Sequence, residues 1–198
     1  MRKDLILIGG GGHCRACIDV IELTQQFNIV GILDISSTVG QDTSGYKIIG
    51  TDDEIASLAV KGHYFLVTIG QIISSEKRQV LFNKLLEVNA NIATVVSPRA
   101  YIAKTSTVGA GSIVMHDALI NANVKIGRNC IINTKSLIEH DSLIEDHCHI
   151  STAATINGSV VVKKGTFFGS NAVSVESTQT TDEDFIKAGS LFKGHKNV

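Results

Sequence analysis

Every sixth residue from position 102 onward is apolar. The series reads Ile102, Val108, Val114, Ile120, Ile126, Ile132, Ile138, Ile144, Ile150, Ile156, Val162 and Phe168, and all but the last are β-branched. A second column lies two residues before each following member: Ser106, Ser112, Ala118, Val124, Cys130, Ser136, Ser142, Cys148, Ala154, Val160, Thr166 and Ala172, all small or β-branched. An amphipathic helix repeats near 3.6 residues and a half-buried strand near 2, so a strict period of six fits neither. It fits a triangular solenoid in which each hexapeptide makes one strand and one corner. The aliphatic side chain points inward, and the small residue lets the chain turn. Glycine or asparagine follows the aliphatic residue at Gly109, Asn121, Gly127, Asn133, Asn157 and Gly169, types that tolerate the left-handed backbone a tight corner can require. The expected fold is a left-handed parallel β-helix of roughly four coils between Ile102 and Val173. After Asn171 the code fails, and a short irregular C-terminal tail is expected.

Residues 1–96 follow a different grammar. Leu5 to Ile8 reads as a buried strand, Gly9-Gly10-Gly11-Gly12-His13 as a loop, and Arg15 to Phe27 as a helix. Ile29 to Leu33 is a second strand ending at Asp34, and Tyr64 to Ile69 a third ending at Gly70. A helix from Ser75 to Asn89 and an extended segment from Ile92 to Val96 complete a small parallel α/β, Rossmann-like domain. Pro98, the lone proline, marks the hinge into the solenoid domain of residues 97–198. In a strand, glycine loop and helix, backbone N–H groups and the helix terminus favour a phosphate, and an acidic residue closing the second strand can accept from a ribose or base. The four glycines fall short of the full dinucleotide fingerprint, so a merely tight turn, with Asp34 a solvated strand end, is the plainer alternative.

The Lys+Arg count of 18 and the Asp+Glu count of 19 nearly cancel, so no overall field draws the chain to nucleic acid or an anionic membrane. The apolar run at the start is too short for a signal-peptide core or a membrane span, which predicts a cytoplasmic protein without membrane insertion. Cys14 and Cys17 form C-x-x-C, but no second such pair exists. Buried thiols are the simpler reading there, and Cys130 and Cys148 fall in the small-residue column as core.

With both halves placed, the chain resembles the sugar O-acyltransferase family that includes the NeuD-like sialic acid O-acetyltransferases and the PglD/PerB-like bacterial nucleotide-4-aminosugar N-acetyltransferases. The carrying segments are LILIGGGGHCRACIDVIE, LDIS, TIGQIISSEKR, VVSPRAYIA and, most specific, INTKSLIEHDSLIEDHCHIS. The resemblance implies that His140 is the general base and that Asp141 orients its ring. It implies that His149 hydrogen-bonds the acetyl-CoA thioester carbonyl, that Asn133 lines the same cleft with the substrate, and that Gly158 and Gly169 let pantetheine lie along the solenoid edge. Gly10, Gly11, Gly12, His13, Asp34, Ile69 and Gly70 match the pocket for the nucleotide of the sugar. Members of the family are homotrimers. The sequence departs from its relatives after Asp34, where Ile35 replaces a second acidic residue, and in the tail, which lacks further coils.

The implied chemistry suits these residues. Histidine, with an ordinary pKa of about 6.5, accepts a proton near neutral pH, and a neighbouring carboxylate fixes its tautomer. No acyl-enzyme is required. His140 and His149 are nine residues apart, one and a half faces of a triangular coil, so they fall on different sides of the prism. If both serve one reaction, they come from adjacent subunits. His63, His116 and His147 read as solvent-facing, and a metal site from His140, Asp141, His147 and His149 is not expected, because such ligands would alternate sides. The expectation is an acetyl-CoA-dependent N-acetyltransferase, with no metal, acting on the 4-amino group of a UDP-, dTDP- or GDP-linked deoxysugar for a bacterial surface glycan. Alternatives are O-acetylation of sialic acid or a related sugar, and a non-catalytic solenoid that binds a nucleotide sugar.

Overall fold

A computed structural model describes residues 2–195. The chain forms two compact units, one of Met1–Gly70 with Glu76–Val95 and one of Gln71–Ser75 with Val96–Val198. The second unit thus includes five residues that lie well before the sequence boundary at 96. No helix among the described residues is long and apolar enough to cross a membrane.

In the first unit, β1 (Lys3–Ile8) lies between β2 (Phe27–Leu33) and β5 (Tyr64–Val67), parallel to both. Leu5, Ile6 and Leu7 are fully buried, the continuous apolar run of a strand covered on both sides. β6 (Asn91–Ile92) extends the sheet beyond β5. On the other side, β4 (Tyr46–Gly50) pairs with β2 and carries the short antiparallel β3 (Asp42–Thr43). Helix α1 runs from Gly12 to Thr24, with Cys14, Cys17, Ile18, Val20 and Ile21 buried. It stops short of the expected Phe27 because Gln25 turns left-handed (φ 56°), its N–H donating to the Glu22 carbonyl. The sequence reading passed over β3, β4 and α2 (Ile55–Val60), all short. It also passed over the Thr51 to Glu54 capping box that leads into α2. Helix α3 spans Glu76–Glu87, and on it Arg78 is buried, donating to the Val67 and Ile69 carbonyls at 3.0 and 2.6 Å.

The second unit is a three-sided stack of two-residue parallel strands and fits the left-handed parallel β-helix. The first face contains Ile113–Val114, Ile131–Ile132, His149–Ile150, Phe167–Phe168 and Phe185–Ile186. The second contains Tyr101–Ile102, Leu119–Ile120, Leu137–Ile138, Thr155–Ile156, Val173–Ser174 and Leu191–Phe192. The third contains Thr107–Val108, Lys125–Ile126, Leu143–Ile144 and Val161–Val162. The six-residue series from Val114 to Phe168 is the buried core of this prism. The small-residue column does more than permit turning. Ser112 Oγ donates to the Gly127 carbonyl and accepts the Cys130 N–H, both at 2.8 Å, and Ser142 repeats the pattern with Asn157 and Val160.

Two expectations are corrected. The left-handed corner residues do not follow the aliphatic position directly. They lie three residues after it, at Gly111, Asp117, Asn123, Asn129, Lys135, Asp141, His147, Ala153, Ser159, Gly165, Asn171, Ser177, Glu183 and Gly189. Gly109 and Gly169 serve close packing instead. A Cβ at Gly109 would meet the Gly127 carbonyl oxygen at 2.5 Å, and one at Gly169 the Ala188 nitrogen at 2.5 Å. The tail is not irregular either: the coil continues to Phe192, with Ser174, Thr180, Ile186 and Phe192 at successive six-residue positions, all buried. The code is hard to see there because two inward positions carry hydroxyls. Ser174 Oγ accepts the Asn157 N–H and Thr180 Oγ1 the Lys163 N–H, each at 2.8 Å, so neither buried oxygen lacks a partner.

Candidate functional site

His140 and Asp141 form the corner that follows the Leu137–Ile138 strand. The left-handed backbone of Asp141 (φ 61°) folds its carboxylate onto the preceding ring, placing Oδ2 2.8 Å from His140 Nδ1. From the preceding coil, Asn123 Nδ2 donates to Asp141 Oδ1 at 3.1 Å. Hydrogen bonds from His140 and then Asn123 hold the Asp141 carboxyl below its ordinary value. An ionised carboxylate only accepts, so the ring hydrogen sits on Nδ1 and Nε2 presents a lone pair. On the next coil, a Cβ at Gly158 would stand 2.9 Å from His140 Cε1 and 3.0 Å from Nε2. Gly158 therefore gives the imidazole the room that any side chain would take. The pair stays open to solvent, with 58% and 52% of the two side chains exposed.

His149 lies on the first face in different surroundings, 6% exposed. Its Nδ1 is 2.6 Å from the Gln71 carbonyl oxygen, its Nε2 is 3.1 Å from Asn133 Nδ2, and its ring meets Phe167 edge-on at 5.2 Å. Gln71 is held in turn, its Nε2 donating to the Gly165 carbonyl at 2.9 Å. The structure thus brings His149 and Asn133 together, as it does His140 and Asp141, and puts the two pairs on different sides of the prism. Gly158 and Gly169 lie against the His140 ring and the 186–188 backbone respectively. The room their missing side chains leave is already taken by the chain itself.

In the first unit, Gly9 takes a left-handed φ of 101° and closes on Ile69, whose Cγ1 would lie 2.3 Å from a Cβ there. Gly10 N–H donates to Asp34 Oδ2 at 2.8 Å, and Ile35 N–H to Oδ1 at 2.8 Å. Asp34 thus ties the loop to the end of β2, and each oxygen keeps a further lone pair. Gly11 and Gly12, at the start of α1, face open space. His13 follows in the first turn, its Cβ 3.5 Å from where a Gly70 side chain would begin.

All four cysteines are buried and none forms a disulfide. Burial pushes the Cys14 thiol up to about 11 and raises the Cys17 and Cys148 thiols as well, so these three offer no thiolate near neutral pH. His147, expected in solvent, is buried with Nδ1 3.0 Å from Asn129 Nδ2. His116 is half-buried against Ser97 Oγ at 2.7 Å, and His63 half-buried with its Nδ1 3.0 Å from the Leu58 carbonyl. Among the described residues, no group of three or more His, Cys, Asp or Glu could hold a metal ion. Sequence reasoning missed Gln71, which no local signal marks. It also missed Asn123, which the eighteen-residue coil repeat places directly under Asp141.

Residues 4–85 match the PglD N-terminal domain family. None of the curated proteins matches the sequence. Among solved structures, the acetyltransferase domain of PglB from Neisseria gonorrhoeae superposes with a TM-score of 0.91 at 22% identity, covering 98% of this chain and 92% of that one. PerB from Caulobacter crescentus, solved in complex with CoA and GDP-perosamine, superposes with a TM-score of 0.89 at 26% identity, covering 96% and 89%. WeeI from Acinetobacter baumannii gives 0.75 at 17% identity, covering 96% and 95%. Fold, site and likeness together define the class of protein as an enzyme of the β-helix sugar acetyltransferase kind.

Proposed function

We propose that the protein is an acetyl-CoA-dependent N-acetyltransferase acting on the 4-amino group of a nucleotide-linked amino-deoxysugar, in the cytoplasmic stage of bacterial surface-glycan synthesis. The observation that carries this reading is the His140–Asp141 corner. An imidazole whose Nδ1 hydrogen is held by a carboxylate presents a basic Nε2 to solvent, which is what an amine needs as it attacks a thioester. His140 accepts the amine proton, the nitrogen bonds to the acyl carbon, and the C–S bond breaks to release CoA. The buried, protonated Cys148 supports direct attack over an acyl-enzyme.

The first 96 residues hold the nucleotide through Gly10, Gly11, Gly12, His13, Asp34, Ile69 and Gly70, with the two outward-facing glycines at the α1 terminus receiving the phosphates. Residues 97–198 carry the transfer, with Asn133, His149, Gly158 and Gly169 along the acetyl-CoA path. The working form is a homotrimer. Its support is the exposed apolar side chains of Tyr101, Leu119, Val173 and Leu191 on the second face, which share one eighteen-residue register with the half-buried Leu137 and Thr155 between them. Mixing dissociated His140→Ala and His149→Ala proteins restores activity on this reading, and no recovery counts against a site shared between subunits.

The deciding experiment incubates acetyl-CoA with UDP-, dTDP- and GDP-linked 4-aminosugars and follows thiol release and mass gain. One acetyl group per sugar, stable to hydroxylamine, is the expected product. A hydroxylamine-labile product would move the reading to O-acetylation, and absence of thiol release with every acceptor would leave a binding protein.

A further inference from the structure

The hydrogen bonds around His149 have a direction that is set at both ends. The Gln71 carbonyl can only accept, so His149 Nδ1, 2.6 Å away, carries the ring hydrogen. At the other end, Asn133 Oδ1 accepts the Thr134 N–H at 2.8 Å, which turns Nδ2 toward the ring, 3.1 Å from Nε2. An amide nitrogen only donates, so Nε2 accepts. His149 is therefore the neutral, Nδ1-protonated tautomer, and in this state Nε2 has no hydrogen to offer a thioester carbonyl. Asn133 is placed differently. Its backbone is pinned by its own N–H to the Ile150 carbonyl at 2.8 Å, it is half-buried and so not sealed from solvent, and among the described residues only one of its two Nδ2 hydrogens is engaged.

We infer that the second Nδ2 hydrogen of Asn133 is the side-chain donor to the acyl carbonyl, and that His149 is a positioning residue that aims it. The inference rests on the acetyl-transfer reading above. In the reaction the amine nitrogen bonds to the carbonyl carbon, the carbonyl oxygen becomes an oxyanion that accepts from Asn133, and the amine proton passes to His140. When the carbonyl re-forms, the C–S bond breaks and the CoA thiolate takes up a proton, so charge and atoms balance. A donor already oriented before the charge develops does not have to reorganise as it forms. The chain from the Gln71 carbonyl through His149 to Asn133 supplies that orientation.

The test combines kinetics with nitrogen NMR on the full chain. Asn133→Asp keeps the oxygen that accepts from Thr134 and replaces the donor with a charged acceptor. It and Asn133→Ala lower kcat about a hundredfold with little change in the KM for acetyl-CoA. His149→Ala lowers kcat less, His149→Gln restores part of the loss through its amide oxygen, and the Asn133→Ala/His149→Ala double variant is no slower than Asn133→Ala alone. Nitrogen-15 shifts of His149 without substrate report the Nδ1–H tautomer. Full kcat in Asn133→Asp, multiplicative losses in the double variant, or an Nε2–H tautomer in an active protein would each overturn the inference alone. A wild-type protein that releases no thiol with any acceptor would instead overturn the acetyl-transfer reading, and this inference with it.

Discussion

His140 and His149 stand nine residues apart on one rigid prism, and what their rings touch sets them against each other. His140 is more than half exposed, with one nitrogen engaged by a carboxylate and the other turned outward. His149 is buried with both nitrogens bonded and a phenylalanine against its ring. An imidazole of the first kind is prepared to gain a proton, and one of the second kind to hold a geometry. The contrast teaches that a histidine's task is written in its hydrogen-bond partners, which the repeat places but does not reveal.

The comparison breaks most visibly if His140→Ala retains activity. The expected loss in kcat is about 10²–10⁴-fold, with an unchanged melting temperature because the side chain is exposed. Gly158→Ala comes next. Its methyl would press on the His140 ring at 3.0 Å or less, and a ring displacement of about 1 Å costs up to about a hundredfold in kcat. His149→Ala sharpens the other side: it removes two hydrogen bonds and an aromatic contact from a buried place, about 2–3 kcal/mol in all. The melting temperature should fall by several degrees, measured calorimetrically, where His140→Ala moves it little. The smallest effect belongs to Asn123→Ala, which takes one donor from Asp141 and moves that carboxyl up toward its ordinary 3.8, readable by carbon NMR titration. Because the folded value lies below the unfolded one, the Asp141 contribution to stability is present above the ordinary carboxylate pKa. It fades as pH falls through the folded value, and in Asn123→Ala it fades at a higher pH.

Much of this was legible in the residues. The six-residue period located the prism, its inward ladder from Val114 to Phe168 and the Cys130 and Cys148 core positions. The strand, glycine loop and helix of the first unit also stood out, because each has a strong local signature. The misses share a cause. A corner's backbone conformation depends on stacking against the next coil, so Asp141 and His147 take left-handed φ values that their residue types do not announce. At Ser174 and Thr180 a hydroxyl that finds a backbone partner replaces an aliphatic side chain, and a search for apolar spacing passes over both. Gln71 reaches His149 across 78 residues of sequence, a distance at which pattern reading has no purchase.

The unbroken run of left-handed corners from Gly111 to Gly189 also governs how such a chain can change length. Insertion of six residues would carry everything downstream onto the neighbouring face. His149 would then stand where a different set of partners waits, and Asp141 would part from Asn123. A whole coil of eighteen can be added or lost with every later residue keeping its side of the prism. Duplication by full coils is thus a length change that leaves the His140 corner and the buried histidine each on its own side of the prism.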